Sequence, residues 1–167
     1  GTITIHGGNI TAQGGSTGAG IGGGSKGSGG TIAIHGGKVT AQGGYSGAGI
    51  GGGWTAGGGT IRIAGGIVQA SSDGDNTAAI GDGAYHDGKE TSIAITGGIV
   101  TASGRYGIGR GNTSEPYPSA YQGNFSMTGN AVIFTKGITD TSEQDQWNGI
   151  VFFSTSGQVY GDSVTVD

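Results

Sequence analysis

The stretch that decides the fold is TIAIHGGKVTAQGGYSGAGIGGG, residues 31–53. It contains three short runs in which large apolar residues alternate with polar or small ones, and glycine follows each run. Alternation with a period of two is typical of a β-strand that is buried on one face, whereas a helix would repeat its apolar residues every three or four positions. The stretch therefore predicts three short strands that are joined by glycine corners.

The same stretch recurs along the chain. Residues 31–37 match residues 2–8, which lie 29 positions earlier, and residues 60–66, which lie 29 positions later. A fourth copy begins at Ser92 and a fainter fifth copy at Asn124, each 32 positions after the copy before it. Copies at a nearly constant period of this length indicate a repeat architecture in which each copy is one structural unit.

One copy buries only about six small apolar side chains, which is too few to fold alone. If each copy is one turn of a coil, equivalent strands lie parallel and about 4.8 Å apart, and equivalent side chains form inward columns. The predicted columns are Ile3, Ile32, Ile61, Ile93 and Phe125; Ile5, Ile34, Ile63, Ile95 and Met127; and Ile10, Val39, Val68, Val100 and Val132. We therefore predict an all-β fold, a parallel β-helix (β-solenoid) of about five turns, right-handed as parallel crossovers are.

Residues 1–137 form the predicted repeat region, and residues 138–167 are predicted to supply C-terminal capping strands of the same domain. A cap is expected because an exposed sheet edge pairs readily with other chains. The apolar residues expected to enlarge the core or close this end are Phe125, Met127, Phe134, Trp147, Phe152 and Phe153. The first strand has no such cap, so a preceding segment or a second copy of the chain should stack on it. End-to-end self-association into filaments is a further alternative.

Composition narrows the classes of partner. The chain has 167 residues, of which 43 are glycine, and glycine adopts the positive φ that sharp corners require. The net charge of −4 and the scattered positions of the 7 basic residues argue against nucleic acid as a partner. Apolar runs are far shorter than a membrane span, so none is predicted. The absence of cysteine excludes disulfides and thiolate metal sites.

Two segments resemble a known family. The run GGKVTAQGGYSGAGIGGG at residues 36–53 and the ending GIVFFSTSGQVYGDSVTV at residues 149–166 resemble glycine-rich β-helix repeat domains. Such domains belong to large secreted or wall-attached proteins of Gram-positive gut bacteria. The resemblance implies an extracellular or cell-surface location and a carbohydrate-binding or adhesin-like role. It brings no catalytic motif, so no catalytic residue is assigned.

Aromatic residues outside the inward columns are the candidate ligand contacts. They are Tyr45, Trp54, Tyr85, Tyr106, Tyr117 and Tyr121, the last three in an expected insertion of the fourth copy. A flat aromatic ring beside amide or carboxylate groups stacks on a sugar ring while the polar groups bind its hydroxyls. The sequence thus suggests a glycan as the partner, with packing over a thin wall of the coil as the alternative.

Acidic residues gather in the third copy. Asp73, Asp75 and Asp82 could bind Ca²⁺ through carboxylate oxygens, and DGDN at residues 73–76 resembles a fragment of a calcium loop. The central glycine and the twelfth-position glutamate of an EF-hand are missing, so a solvated turn is the alternative. His6 and His35 occupy equivalent outward positions, which favours a ladder of surface polar residues over a metal site.

These observations predict a non-catalytic structural or adhesive module of an exported bacterial surface protein, with glycan binding through irregular loops. The alternative is a polysaccharide lyase or hydrolase, or its accessory domain. That chemistry would need paired carboxylates, or a base beside a cation, such as Asp73, Asp75 and Asp82 with Arg62 or Arg105. Their spacing does not require such an arrangement.

Overall fold

The computed structural model describes residues 1–86, 91–112, 124–135, 138–139, 150–155 and 158–163, and of the last three ranges it describes the backbone alone. Within these ranges the chain forms strands and short turns. No helix there is long and apolar enough to cross a membrane.

Each turn of the chain contributes one strand to each of three sheets. Sheet 1 contains β1 (Thr2–Ile5), β4 (Thr31–Ile34), β7 (Thr60–Ile63), β10 (Ser92–Ile95) and β13 (Asn124–Met127). Sheet 2 contains β2 (Asn9–Gln13), β5 (Lys38–Gln42), β8 (Ile67–Ser71), β11 (Ile99–Ser103) and β14 (Val132–Thr135), followed by β16 (Ile150–Thr155) and β17 (Gln158–Ser163). Sheet 3 contains β3 (Ile21–Gly22), β6 (Ile50–Gly51), β9 (Ala78–Gly81), β12 (Tyr106–Gly109) and β15 (Ile138–Thr139).

Successive strands of a sheet pair in parallel, with like residues side by side. Ile3 pairs with Ile32, and Ile32 pairs with Ile61. The same register continues through Ile93 to Phe125. The predicted parallel β-helix is therefore confirmed, and the five parallel strands of each sheet correspond to about four complete turns between the first strand and the fifth. The right-handed sense of the coil stays a prediction.

The inward columns form one continuous apolar core. Ile32, Ile34 and Val39 have no exposed surface, because each is covered by the turn before it and the turn after it. At the N-terminal turn the equivalent protection is incomplete, so that Ile5 and Ile21 keep 8% and 7% of their surface exposed. Stacking of turns, rather than the content of any single turn, thus excludes water from the core.

The third predicted column is wrong in the fifth turn. Val100 pairs with Ile133 and not with Val132, and Ile133 is the buried residue of the two. The cause is one extra residue in the corner before β14, where TGNA at residues 128–131 replaces TGG at residues 96–98. Since alternate residues of a strand face opposite sides, a shift of one position exchanges the inner and outer faces.

The same shift corrects the expectation for Phe134. This residue pairs with Thr101 on the outer face of sheet 2 and is 39% exposed, so it does not enlarge the core. Phe125 packs against the core and Met127 is part of it, as predicted. The side chains of Phe152 and Phe153, and all of Trp147, lie outside the described residues.

The last two strands reverse the direction of pairing in sheet 2. Strand β16 pairs antiparallel with β14, and β17 pairs antiparallel with β16. An antiparallel hairpin cannot continue the coil, because a further turn would require a parallel strand on β14. The division of the chain into residues 1–137 and 138–167 stays a prediction.

Glycine is required at the corner between the first and second strand of a turn. Gly37 has φ of 93°, and a Cβ atom there would lie 2.6 Å from the carbonyl oxygen of Gly8 in the preceding turn. Both the backbone conformation and the close approach of the next turn exclude other residues. This is the physical reason for the glycine pairs that punctuate the repeat.

Candidate functional site

The second and third corners of each turn lie side by side and form a continuous strip, which we call the loop ridge. It comprises the second corners at residues 14–18, 43–47 and 72–77 and the third corners at residues 23–30, 52–59 and 82–86. The two corners come together because the intervening strand of sheet 3 is only 2–4 residues long.

Backbone hydrogen bonds join a third corner to the second corner of the preceding turn. The amide of Trp54 donates to the carbonyl of Thr17 (2.8 Å), and that of Ala84 donates to the carbonyl of Ser46 (3.0 Å). These bonds join loops of adjacent turns, and they fix which side chains share the ridge.

Three of the six predicted aromatic contacts lie on the loop ridge. Tyr45 is 67% exposed and Tyr85 is 41% exposed. Ser46, which follows Tyr45, is bonded to Ala84, which precedes Tyr85, so the two tyrosines stand on adjoining loops. Trp54 is partly exposed, and the residue after it donates a backbone hydrogen bond to Ala84. The structure therefore brings Tyr45, Trp54 and Tyr85 to one surface.

The remaining aromatic contacts are placed elsewhere. Tyr106 is half-buried in β12 and pairs with Ala78, so the prediction that it belongs to an insertion is wrong. The YGIG of residues 106–109 restores the pattern of sheet 3, with Ile108 beside Ile80. Tyr117 and Tyr121 lie outside the described residues.

Polar groups surround Tyr85. The side-chain amide of Asn76 donates to the Tyr85 hydroxyl (3.1 Å), and the amide of Asn112 donates to the side-chain oxygen of Asn76 (3.0 Å). The network fixes the phenol ring in one orientation and leaves amide groups at its edge. An oriented ring with amides beside it is the arrangement that recognises a pyranose face together with its hydroxyls.

A cation lies over the indole ring of the ridge. The ammonium of Lys26 is 5.9 Å from the centroid of the Trp54 ring, within the range of a cation–π interaction. Lys26 belongs to the turn before Trp54, so this contact spans two turns of the coil. It positions an ammonium group, a strong hydrogen-bond donor, over the partly exposed Trp54 ring.

The three acidic residues predicted for calcium are not brought together. Asp73 accepts a hydrogen bond from the Gln42 amide (2.8 Å), and Asp75 lies 3.8 Å from Arg105, in both cases at the surface. Asp82 has no exposed surface. Among the described residues no group of three His, Cys, Asp or Glu side chains is placed to hold a metal ion. Calcium binding stays a prediction.

Asp82 instead belongs to a buried polar cluster that sequence reasoning missed. Its carboxylate accepts hydrogen bonds from the Gly58 amide (2.9 Å) and from the Thr91 hydroxyl. The imidazole of His86 lies 3.7 Å from the other carboxylate oxygen. His86 and Thr91 are also buried. The cluster anchors the third corner that carries Tyr85.

Alignment of the repeats contained a signal that could have revealed the burial of Asp82. The amides of Ala19 and Ala48 donate to the carbonyls of Gly23 and Gly52, and that of Ala78 donates in the same way to the carbonyl of Asp82. Asp82 therefore stands at a buried position that is glycine in the two preceding turns. In the earlier turns a Cβ would clash, at 1.8 Å from the Gly27 oxygen in the first turn. The segment at residues 82–91 is two residues longer than that at residues 52–59.

The two outward histidines stack on each other. The rings of His6 and His35 are parallel to within 10°, with centroids 5.1 Å apart. This is the ladder of surface side chains that equivalent positions on adjacent turns predict, and like pairs of this kind follow from the exact register of the coil.

The outer face of sheet 2 carries a second surface feature. Ile67 pairs with Ile99, Ile99 pairs with Val132, and Phe134 lies two residues farther along the same face. Ile67, Ile99 and Phe134 are each more than one third exposed. This apolar row lies on a different face of the coil from the loop ridge.

Comparison with known proteins supports the same class of fold. A family model described as a beta helix repeat matches residues 3–25 and 32–54, which are the first two turns. The chain is similar to that family over those turns, and its three stacked parallel sheets define a β-helix repeat domain. No curated protein and no solved structure matches the chain.

Proposed function

We propose that this β-helix is a non-catalytic structural and adhesive module of an exported bacterial surface protein, and that its specific activity is glycan binding on the loop ridge. The observation that carries the proposal is the pair Tyr45 and Tyr85, two exposed aromatic rings on hydrogen-bonded loops. Exposed aromatic rings are the side chains with which proteins stack on sugars. The extracellular location rests on the resemblance to repeats of secreted and wall-attached proteins.

The composition of the ridge supports a carbohydrate over other ligands. The amide of Asn76 is bonded to the Tyr85 hydroxyl, the amide of Asn112 is bonded to Asn76, and the ridge also carries the exposed carboxylate of Asp73. These groups donate and accept hydrogen bonds in the mixed pattern that sugar hydroxyls require. A rigid coil of stacked turns also suits the role of a spacer, because each turn is fixed to its neighbours along whole strands.

The experiment is a glycan array probed with the wild-type chain and with the Tyr45→Ala, Trp54→Ala and Tyr85→Ala variants. We expect the wild-type signal to fall strongly in each variant while far-ultraviolet circular dichroism stays unchanged. Phe134→Ala is the matched control, since Phe134 is an exposed aromatic residue on another face. Equal loss in the control, or no array signal for the wild-type chain, would contradict the proposal.

The polysaccharide-degrading alternative predicts a different result. A hydrolase or lyase would release new reducing ends from a bound polysaccharide, and a lyase would also create an unsaturated product that absorbs in the ultraviolet. We expect neither product on prolonged incubation of the chain with plant and bacterial polysaccharides. Release of either product would replace the adhesive proposal with an enzymatic one.

A further inference from the structure

Nearly all described residues with a left-handed backbone conformation are glycines. Among the described residues eleven glycines have positive φ, and only three other residues do: Lys26 (60°), Thr55 (60°) and Tyr85 (56°). A non-glycine residue in this region is uncommon, and a β-branched residue such as Thr is a true outlier. The positive φ of these three residues therefore needs a physical explanation, whereas the positive φ of a glycine does not.

The three exceptions form one column on the loop ridge. The amide of Lys26 donates to the carbonyl of Trp54, the residue before Thr55, at 2.8 Å. The amide of Thr55 donates to the carbonyl of Ala84, the residue before Tyr85, also at 2.8 Å. They are thus equivalent positions on three consecutive turns. With turns about 4.8 Å apart, the column spans about 10 Å along the axis of the coil.

The local geometry would accept glycine at each of the first two positions. Gly27 donates to the carbonyl of Gly24 (2.9 Å), and Ala56 donates to that of Gly53 (3.1 Å), so each exception is the third residue of a four-residue turn. Positive φ at that position favours glycine. Strained residues of this kind persist where the surrounding structure holds them in place, and they cluster at active sites and ligand sites.

We propose that Lys26, Thr55 and Tyr85 form a contact column for a linear glycan that lies along the axis of the coil. This inference rests on the proposed function and names the ligand class of the same surface. Tyr85 supplies an exposed ring, Thr55 a hydroxyl, and Lys26 an ammonium held over the Trp54 ring. The column is parallel to the axis, so it suits an unbranched polymer whose successive sugars meet successive turns.

The test compares Lys26→Gly, Thr55→Gly and Tyr85→Gly with the wild-type chain. Melting temperature is measured by circular dichroism, and binding by titration calorimetry. The probes are oligomers of β-1,4-linked glucose, β-1,4-linked N-acetylglucosamine and α-1,4-linked galacturonic acid, from disaccharide to hexasaccharide. We expect each glycine variant to melt at or above the wild-type temperature, by up to about 2–4 °C. We also expect each to bind the preferred oligomer at least about tenfold more weakly.

Two controls separate the contacts from general effects. Thr55→Asn keeps a polar side chain that tolerates positive φ, and it should retain most of the binding. Lys38→Gly removes an exposed lysine from the outer face of sheet 2, and it should leave binding unchanged. Affinity for the wild-type chain should rise with oligomer length and level off near the length that spans three turns.

The outcomes distinguish this inference from the proposed function. If Lys26→Gly and Thr55→Gly bind as well as wild type while Tyr45→Ala and Tyr85→Gly bind poorly, the column is not a contact and only this inference fails. Glycine variants that melt well below wild type would show that the side chains serve the fold, which also overturns it. If the wild-type chain binds no oligomer at millimolar concentration, the proposed function and this inference fail together.

Discussion

The hydroxyl of Thr91 donates a hydrogen bond to the carboxylate of Asp82, and both side chains are buried inside a coil whose core is mostly apolar. The Gly58 amide contacts both of them, at 2.9 Å from Asp82 and 2.8 Å from Thr91. The contact joins the second turn of the coil to the third. It fixes the corner on which Tyr85 stands, and so it connects the interior of the fold to the candidate ligand surface.

Replacing Asp82 tests that connection. Asp82→Ala removes an acceptor from buried donors, and we expect a loss of about 1–3 kcal/mol in the free energy of unfolding. Urea denaturation followed by circular dichroism measures it. Asp73→Ala is the matched control, because Asp73 is exposed and its removal should change stability by less than about 0.5 kcal/mol. Equal effects of the two substitutions would contradict the buried role of Asp82.

The second prediction concerns the requirement for glycine at the corner between the first and second strand of a turn. Gly37→Ala introduces a Cβ 2.6 Å from the Gly8 oxygen at a φ of 93°, and we expect a loss of about 2–4 kcal/mol from the clash and the backbone strain. Gly7→Ala is the control, because a Cβ there meets nothing within 4 Å. Thermal denaturation should lower the melting temperature of the first variant only, by about 2–4 °C for each kcal/mol lost.

Substitutions of the adjacent residues Val132 and Ile133 test the strand register of the fifth turn. Ile133 is fully buried, so Ile133→Ala should cost about 2–5 kcal/mol through lost contacts and the remaining cavity. Val132 is only partly buried on the outer face, and Val132→Ala should cost less than about 1 kcal/mol. The opposite order of the two values would restore the register that the repeat pattern alone predicts.

The fourth prediction concerns end-to-end self-assembly of the chain into filaments. A head-to-tail filament requires the last turn to accept another parallel turn, but β14 already pairs antiparallel with β16. We therefore expect light scattering of the purified chain to be independent of concentration, and light scattering coupled to size exclusion to detect no species larger than a dimer. Scattering that grows steadily with concentration would favour the filament alternative instead.

Most of the fold was predictable because the repeat aligns like residues with like. Ile3, Ile32 and Ile61 had to share a column once the period was known, and pairing of these residues confirms it. The error at Val132 arose in the fifth copy, where the repeat is weakest. One extra residue in the corner at residues 128–131 does not change the apolar pattern of the strand, so the pattern could not reveal the shift in register. The strand at residues 106–109 was missed because Tyr106 stands where the third turn has the small residue Ala78, so the pattern of sheet 3 was not recognised.

The candidate site was predictable only in part. Tyr45, Trp54 and Tyr85 could be named because aromatic residues are rare in this chain and fall outside the inward columns. Their proximity could not be derived, because it depends on bonds such as that from Ala84 to Ser46, which join loops of different turns. The burial of Asp82 was hidden for the same reason, since exposure of a loop residue depends on what packs over it.

The amino-acid sequence by itself determined the coil: strand periodicity, a repeat of about thirty residues and glycine at the bends are local signals that act on neighbouring residues. Tertiary structure alone decided which side chains meet on the loop ridge and which acidic residue enters the interior. The physical reason is that loop contacts join residues far apart in the chain without a repeating pattern, so only the stacked turns bring them within bonding distance.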